Sequence, residues 1–169
     1  MIELVLYNDR YRRKTLQRIA AFWGFHSGLV GIAEEESFEE ENSSLAGDLK
    51  NWTAEDHRLF VILKDGADVG FVHLHRIGPI VMQLEDLFVD EPMRGQGIAT
   101  QAIALAEQEA QKVEGIEAMT IEVVTRNEAA LHLYHKLGYD TMSMVSLRKE
   151  FGQNRRDRQA EFLGLRFRI

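Results

Sequence analysis

The residues best suited to chemistry lie at 87–100, where an apolar run leads into a proline, two glycines and the predicted start of a helix. Gly95 and Gly97 carry no Cβ, so backbone N–H groups can converge there, and a helix beginning after them adds unpaired donors and the positive end of its dipole. Such an arrangement binds phosphate or pyrophosphate. The chain has a formal net charge of −7. Its overall field therefore repels anions, and an anionic ligand needs a local site of this kind.

Two common phosphate-binding loops do not fit this turn. The nucleoside-triphosphate loop ends in Gly-Lys-Ser/Thr, which the turn lacks. The dinucleotide fingerprint G-x-G-x-x-G needs a third glycine, but Thr100 stands at that position after Gly95 and Gly97. A nucleotide-dependent oxidoreductase is therefore disfavoured.

A second motif follows at residues 122–139, and the two motifs together resemble the GNAT superfamily of acyl-CoA-dependent N-acyltransferases. In the turn, Arg94, Gly97 and Ala99 match that superfamily's pattern Arg/Gln-x-x-Gly-x-Gly/Ala. The second motif has the superfamily's order of asparagine, alanine, leucine-tyrosine and glycine-aromatic, at Asn127, Ala130, Leu133, Tyr134, Gly138 and Tyr139. The resemblance covers residues 80–149, and the N-terminal third of the chain carries no such signature.

The resemblance implies a binding mode for acetyl-CoA as the acyl donor. The backbone of Leu87, Phe88 and Val89 would hydrogen-bond the pantetheine arm. Backbone N–H groups of the turn would hold the pyrophosphate, and they belong to Arg94, Gly95, Gln96, Gly97, Ile98, Ala99 and Thr100. Asn127 would contact the pantetheine arm or cap the helix that follows it.

The resemblance also implies catalytic roles. In one branch of the superfamily a glutamate five residues before the motif asparagine is the general base, and Glu122 has that spacing here. Glu85 and Asp86 on the preceding predicted strand compete for this role, directly or through water, because spacing alone does not show which carboxylate is desolvated. Tyr134 would protonate the departing CoA thiolate, the alternative being a tyrosine packed on the helix face.

Other catalytic routes are disfavoured. The chain has no cysteine, which excludes disulfides, thiolate metal sites and an acyl-cysteine intermediate. His73 and His75 share a strand face but lack a nearby third ligand, and His132 and His135 flank Tyr134. We therefore expect no metal site.

Composition limits the partners. Apolar residues make up 45% and charged residues 28% of the chain, and no apolar run reaches the roughly 18 residues of a membrane helix. An acidic protein is a poor candidate for nucleic-acid binding. The N-terminus lacks a basic start and a small-residue cleavage site, so a cytoplasmic location is expected. An acidic run that could attract a cationic substrate comprises Glu34, Glu35, Glu36, Glu39, Glu40 and Glu41.

Periodicity predicts a single α/β domain over residues 1–169 with a mixed sheet, and the resemblance implies that its fold is GNAT-like. The order is a strand, one or two helices, an antiparallel meander, then strand–helix–strand–helix–strand. Asp65-Gly66 marks a hairpin. Strands are predicted at 2–7, 58–64, 69–76, 80–89, 119–124, 139–151 and 162–169, with helices from Asn8 or Asp9 to about Phe25, through Leu45, Leu49 and Trp52, from the glycine turn to near Gly115, and at 127–138. The last strand could pair across a homodimer.

These observations predict an acetyl-CoA-dependent N-acetyltransferase that transfers the acetyl group directly to a primary amine of a small cationic molecule or peptide. The alternative is a non-catalytic acyl-CoA-binding or regulatory module of the same fold. In that case the turn would remain, but Tyr134 and Glu122 would be dispensable.

Overall fold

The computed structural model describes residues 1–30, 43–149, 151 and 158–169. The glutamate run at 34–41 and the polar tail at 152–157 lie outside the described residues. The strands are β1 (Ile2–Leu6), β2 (His57–Lys64), β3 (Ala67–Arg76), β4 (Val81–Val89), β5 (Ala118–Ile121), β6 (Gln159–Phe162) and β7 (Leu165–Arg168). The α-helices are α1 (Arg12–Val30), α2 (Ser43–Trp52), α3 (Ile98–Gln111) and α4 (Glu128–Lys136), and short 3₁₀ turns occupy Asp9–Tyr11 and Glu91–Met93.

The first five strands form one sheet in the order β1-β2-β3-β4-β5. The pairs from β1 to β4 are antiparallel, and β5 runs parallel to β4. The hairpin between β2 and β3 turns at Asp65 and Gly66, whose φ angles of 51° and 83° give the left-handed two-residue turn that suits twisted strands. The mixed α/β class and the antiparallel meander are therefore confirmed.

Helices cover both faces of the sheet. On one face α3 packs through Ile98, Ala102, Ile103, Ala106 and Ala110. On the other face α1 and α2 contribute Leu16, Ile19, Ala20, Leu45, Leu49 and Trp52. Burial of both sheet faces fixes β4 between two layers, and β4 carries the candidate site.

Register shifts in β3 and β4 affect the candidate site. The pairing of β3 with β4 shifts between His73 and Leu74, so that His73 pairs with Asp86 while Leu74 pairs with Leu84. Glu85 is the extra residue of this bulge. A bulge re-aims side chains, and here both Glu85 and Asp86 reach the ring of His73.

The prediction of a long strand over 139–151 is wrong. Residues 139–149 have no regular structure, and Met142, Met144 and Leu147 are 68%, 82% and 71% exposed. A strand needs a neighbour for its backbone groups, and none of the described strands pairs with this segment. Three other boundaries also differ. Helix α1 continues to Val30, β5 ends at Ile121, and the segment 162–169 is the second half of a hairpin with β6.

Candidate active site

The β5 side of β4 is open over half of the strand. Strand β5 pairs only with Val81–Leu84, whereas β3 pairs with β4 as far as Val89. Within the part of the chain that the structure describes, no strand bonds the β5 side of Glu85–Val89. Leu87, Phe88 and Val89 lie in this stretch. An extended ligand can bind such an edge as an added strand, because the edge offers a row of backbone donors and acceptors.

The glycine turn follows directly after this open edge. Gly95 and Gly97 both have φ 73°, a left-handed conformation that glycine adopts without strain, and Gly97 is the residue before α3. Helix α3 begins at Ile98, which is buried against the sheet and anchors the turn, while Thr100 is exposed. The first N–H groups of a helix have no intrahelical partner, so the turn presents converging donors to an anion.

Arg94 stabilises this turn and is already engaged. Its Nε donates to the carbonyl oxygen of Val89 at 3.0 Å, and its guanidinium lies 5.4 Å from the ring centroids of Phe25 and Phe88. Its backbone N–H donates to the carbonyl of Glu91 at 3.1 Å. The backbone N–H of Arg94 is therefore already bonded within the turn, and its role toward a pyrophosphate stays a prediction. The side chain of Gln96 accepts from Lys64 and donates to the carbonyl of Pro92 at 3.3 Å.

Arg18 ties α1 to the chain just before the turn. Its guanidinium donates to the Asp90 carboxylate at 2.8 and 2.7 Å and to the Asp68 carbonyl at 2.7 Å, and its side chain is only 8% exposed. Arg18, Phe88 and Arg94 line part of a cavity of about 760 Å³ between α1 and the turn. This partly buried ion pair therefore holds α1 against the chain that leads into the turn.

Tyr134 lies on α4, near the Asp86 carboxylate of β4. Burial and the negative charge of Asp86 raise the pKa of the Tyr134 phenol above its ordinary value of about 10. The phenol is therefore protonated at neutral pH and can donate. Asn127 caps α4, because its Oδ1 accepts from the Ala130 N–H at 3.2 Å. Of the two roles considered for Asn127, contact with the pantetheine arm and capping of the helix, this bond supports capping.

Glu122 lies one residue beyond the end of β5, and its side chain is exposed. The carboxylate whose charge acts on Tyr134 is that of Asp86. Asp86 is 12% exposed, and its Oδ2 lies 2.8 Å from Nδ1 of His73. Asp86 therefore belongs to the electrostatic environment of the phenol, and the catalytic role of the exposed Glu122 stays a prediction from motif spacing.

A histidine cluster surrounds these carboxylates; it consists of His57, His73 and His75 with Glu85 and Asp86. Nδ1 of His57 lies 2.8 Å from Nε2 of His73, and Nδ1 of His75 lies 2.7 Å from Oε1 of Glu85. Burial and the two neighbouring histidines lower the pKa of His57. Sequence reasoning missed His57. A one-residue shift between Ile62 and Leu63 places it opposite His75, and residue counting from the hairpin turn does not reveal that shift.

The fold and the site define a class of α/β transferase. In this class an acyl-CoA binds where two parallel strands of the sheet separate and at the glycine turn that follows. The profile of the acetyltransferase (GNAT) family matches residues 23–139. The chain belongs to this family and is an N-acetyltransferase, which confirms the resemblance.

Two curated relatives support this assignment. An uncharacterized N-acetyltransferase of Bacillus subtilis (strain 168) is 28% identical over 123 residues, which cover 69% of this chain and 76% of the relative. A spermidine N(1)-acetyltransferase of Escherichia coli (strain K12) is 31% identical over 86 residues, or 50% of this chain and 46% of the relative. The second match therefore spans about half of each protein.

Solved structures show the same fold. A putative acetyltransferase of Bacillus subtilis superposes with a TM-score of 0.68 at 23% identity, over 90% of this chain and 100% of the other. The aminoglycoside N-acetyltransferase AAC(6')-Iy in complex with CoA has a TM-score of 0.66 at 18% identity, over 90% of this chain and 96% of the other.

None of the described helices combines the length and apolar character needed to cross a membrane.

Proposed function

We propose that this protein transfers the acetyl group of acetyl-CoA directly to a primary amine of a small cationic molecule or peptide. The observation that carries the proposal is the open edge of β4, which leads into the glycine turn and lies near a protonated, partly buried Tyr134. One relative is a spermidine acetyltransferase and one fold neighbour is an aminoglycoside acetyltransferase. Both names denote enzymes that act on amines.

The acyl donor is proposed to bind along the open edge. Leu87, Phe88 and Val89 pair with the amide groups of the pantetheine arm, as an added strand would. The pyrophosphate binds the N–H groups of residues 95–100 and the positive end of the α3 dipole. The thioester then lies near Glu85 and Asp86, where β4 and β5 separate.

The chemistry begins with a neutral amine, because an ammonium ion has no lone pair. Its nitrogen attacks the thioester carbonyl carbon, the C–N bond forms, and the C–S bond of the tetrahedral intermediate then breaks. The thiolate takes the phenolic proton of Tyr134, and the amine nitrogen gives its proton to a carboxylate. Tyr134 recovers a proton from solvent, and an ammonium substrate releases one proton overall.

Asp86 is the carboxylate that we propose as the base, because its charge acts on Tyr134 and its side chain is mostly buried. Glu122 is the alternative from motif spacing. We expect Asp86→Asn to lower kcat by about 10²-fold or more, the usual effect of removing a general base, and Glu122→Gln to leave kcat within a few-fold. Steady-state rates of the two variants decide between them. A large loss in Glu122→Gln alone would restore Glu122 as the base.

A cationic acceptor is favoured by the net charge of −7, to which the glutamate-rich segment of the sequence at 34–41 contributes. Opposite charge raises the local concentration of a substrate and its rate of association. We therefore expect polyamines and aminoglycosides to be better acceptors than neutral or acidic amines of similar size.

The proposal is tested in two stages. First, calorimetric titrations with acetyl-CoA, CoA and NAD⁺ are compared for the native chain and for Gly97→Asp, in which a side chain and a negative charge obstruct the turn. Binding of the CoA species alone, lost in the variant, is the expected result. Second, release of CoA thiol is followed with spermidine, an aminoglycoside, a simple monoamine and peptides. Binding of CoA with no turnover on any amine would contradict amine acetylation.

A further inference from the structure

The histidine cluster holds donor atoms from three adjacent strands, and the proposed acetyl transfer uses only its Asp86. We propose that His57, His73 and Glu85 form a binding site for a divalent transition-metal ion of the zinc type. Their ligand atoms lie within 4.8 Å of one another. They belong to β2, β3 and β4, so a rigid sheet positions each of them.

The spacing of the two imidazoles fits an ion. Nδ1 of His57 and Nε2 of His73 are 2.8 Å apart. Two nitrogen ligands about 2.0–2.1 Å from zinc lie roughly 2.8–3.4 Å apart for right-angled to tetrahedral geometry. An ion therefore needs the two rings to separate by no more than about 0.6 Å.

Two further groups orient the ligands. Asp86 Oδ2 accepts from Nδ1 of His73 at 2.8 Å, which leaves Nε2 of His73 with its lone pair directed at His57. His75 Nδ1 bonds Oε1 of Glu85 at 2.7 Å, and the second carboxylate oxygen, Oε2, lies 3.6 Å from Nδ1 of His73, beyond hydrogen-bond distance. A carboxylate behind a ligating histidine is the usual support of a zinc ligand.

The rings are also held by packing. His73 is completely buried, and its ring stacks on that of Trp52 with the ring centroids 4.7 Å apart. The rings of His57 and His75 also stack, with their centroids 3.9 Å apart. His57 and Glu85 are only half-buried, which leaves one side of the site open for entry of the ion and for a fourth ligand. Two imidazoles and one carboxylate suit zinc, cobalt or iron rather than magnesium or calcium, which prefer all-oxygen ligands.

The alternative is a plain hydrogen bond between His57 and His73, with a proton where the ion would lie. The test uses the full-length chain without a histidine tag, stripped by a chelator. Zn²⁺ is titrated calorimetrically, and Co²⁺ is followed by its visible absorption. We expect one equivalent of each ion per chain and no binding of Mg²⁺.

Matched variants locate the site. His57→Ala and Glu85→Gln each remove one ligand from a half-buried position, and we expect each to lose at least 10-fold in affinity. Asp86→Asn keeps all three ligands and should lose 10- to 100-fold. His132→Ala removes an exposed histidine of α4 and serves as the control with unchanged affinity. Circular dichroism verifies that each variant is folded.

Two results would overturn the proposal. One is the lack of stoichiometric Zn²⁺ and Co²⁺ binding to the native chain, which would mean that His57 and His73 are joined only by a hydrogen bond. The other is binding that survives in both His57→Ala and Glu85→Gln, which would place the ion elsewhere. Neither readout depends on catalysis, so the outcome is independent of the proposed acetyl transfer.

Discussion

Tyr134 and Tyr139 lie side by side, with ring centroids 6.1 Å apart in an edge-to-face arrangement, yet their hydroxyl groups have different surroundings. The Tyr139 hydroxyl donates to Glu107 of α3 at 2.9 Å, so its proton is committed to a structural bond. Tyr134 lies near Asp86, and no hydrogen bond of its hydroxyl to another described residue is present. The same residue type therefore has a structural role at one position and a proposed catalytic role at the other.

Replacing Tyr134 by phenylalanine keeps the packed ring and removes the proton donor. We expect kcat to fall by about 10²-fold or more, with little change in the affinity for acetyl-CoA, because the hydroxyl acts only when the thiolate leaves. Steady-state kinetics measure both quantities, and Tyr11→Phe in the N-terminal turn is the control. Unchanged turnover over the whole pH range would mean that water protonates the thiolate.

Tyr139 makes the stability of the fold depend on alkaline pH. Burial, and then the bond to Glu107, raise its pKa well above the value of about 10 expected in the unfolded chain. The folded state therefore keeps a proton that the unfolded state loses, and this contribution is complete below pH 10 and declines as the pH rises above it. Urea unfolding from pH 8 to 11 should show the decline, and Tyr139→Phe should reduce it. An equal slope in the variant would assign the decline to other groups.

At the scale of elements, the packing of β3 against β4 leaves no room for a side chain at Gly70. A Cβ built on Gly70 would lie 2.2 Å from the Phe88 carbonyl oxygen and 3.1 Å from Cδ1 of Ile62. Phe88 belongs to the open edge, so the position of the proposed pantetheine-binding backbone depends on this glycine. Only a residue without a side chain allows the two strands to pair here.

Gly70→Ala should therefore reduce both stability and cofactor binding. We expect a loss of at least about 2 kcal/mol in the free energy of unfolding, as for other overpacked cores, together with weaker CoA binding as Phe88 moves. Gly24→Ala in α1 is the matched control, because nothing lies within 4 Å of its added Cβ, and it should be neutral or slightly stabilising. Chemical denaturation and CoA titration measure the two effects. Retention of full CoA affinity in Gly70→Ala would show that Phe88 does not position the ligand.

Local patterns predicted the elements that depend on local chemistry. The Asp65-Gly66 hairpin, the apolar face of α3 and the cap at Asn127 follow from residue types and spacing, and the structure has all three. The predictions that failed depend on pairing between segments that are distant in the sequence. Periodicity alone does not provide a neighbouring strand for residues 139–149. The bulge at Glu85 and the shift at Ile62, which assemble the histidine cluster, arise from pairing between strands.

At the scale of the whole molecule, apolar residues at the C-terminal end are exposed. Strands β6 and β7 form a separate two-stranded sheet, with Leu163 85% and Leu165 61% exposed. Arg158 pairs with Glu128 of α4. A two-stranded hairpin is marginally stable alone, so we propose that it packs against a second copy of the chain in a homodimer.

A chain truncated after Asp157 tests this proposal by sedimentation. The full chain should sediment as a dimer, and the truncated chain should sediment as a monomer with a lower midpoint of thermal unfolding. A truncation that changes neither the oligomeric state nor the stability would contradict a dimer formed through the hairpin.

Binding of the acyl donor at the open edge of β4, as proposed, would also affect how long the protein persists in a cell. A ligand that completes the hydrogen bonds of the sheet binds the folded chain alone, and at one hundred times its Kd it adds about 2.7 kcal/mol to the free energy of unfolding. Proteases that cleave a transiently opened chain then find fewer open molecules. We therefore expect the abundance of the enzyme to rise and fall with the supply of its acyl donor, so that nutrient state sets the amount of catalyst as well as its rate.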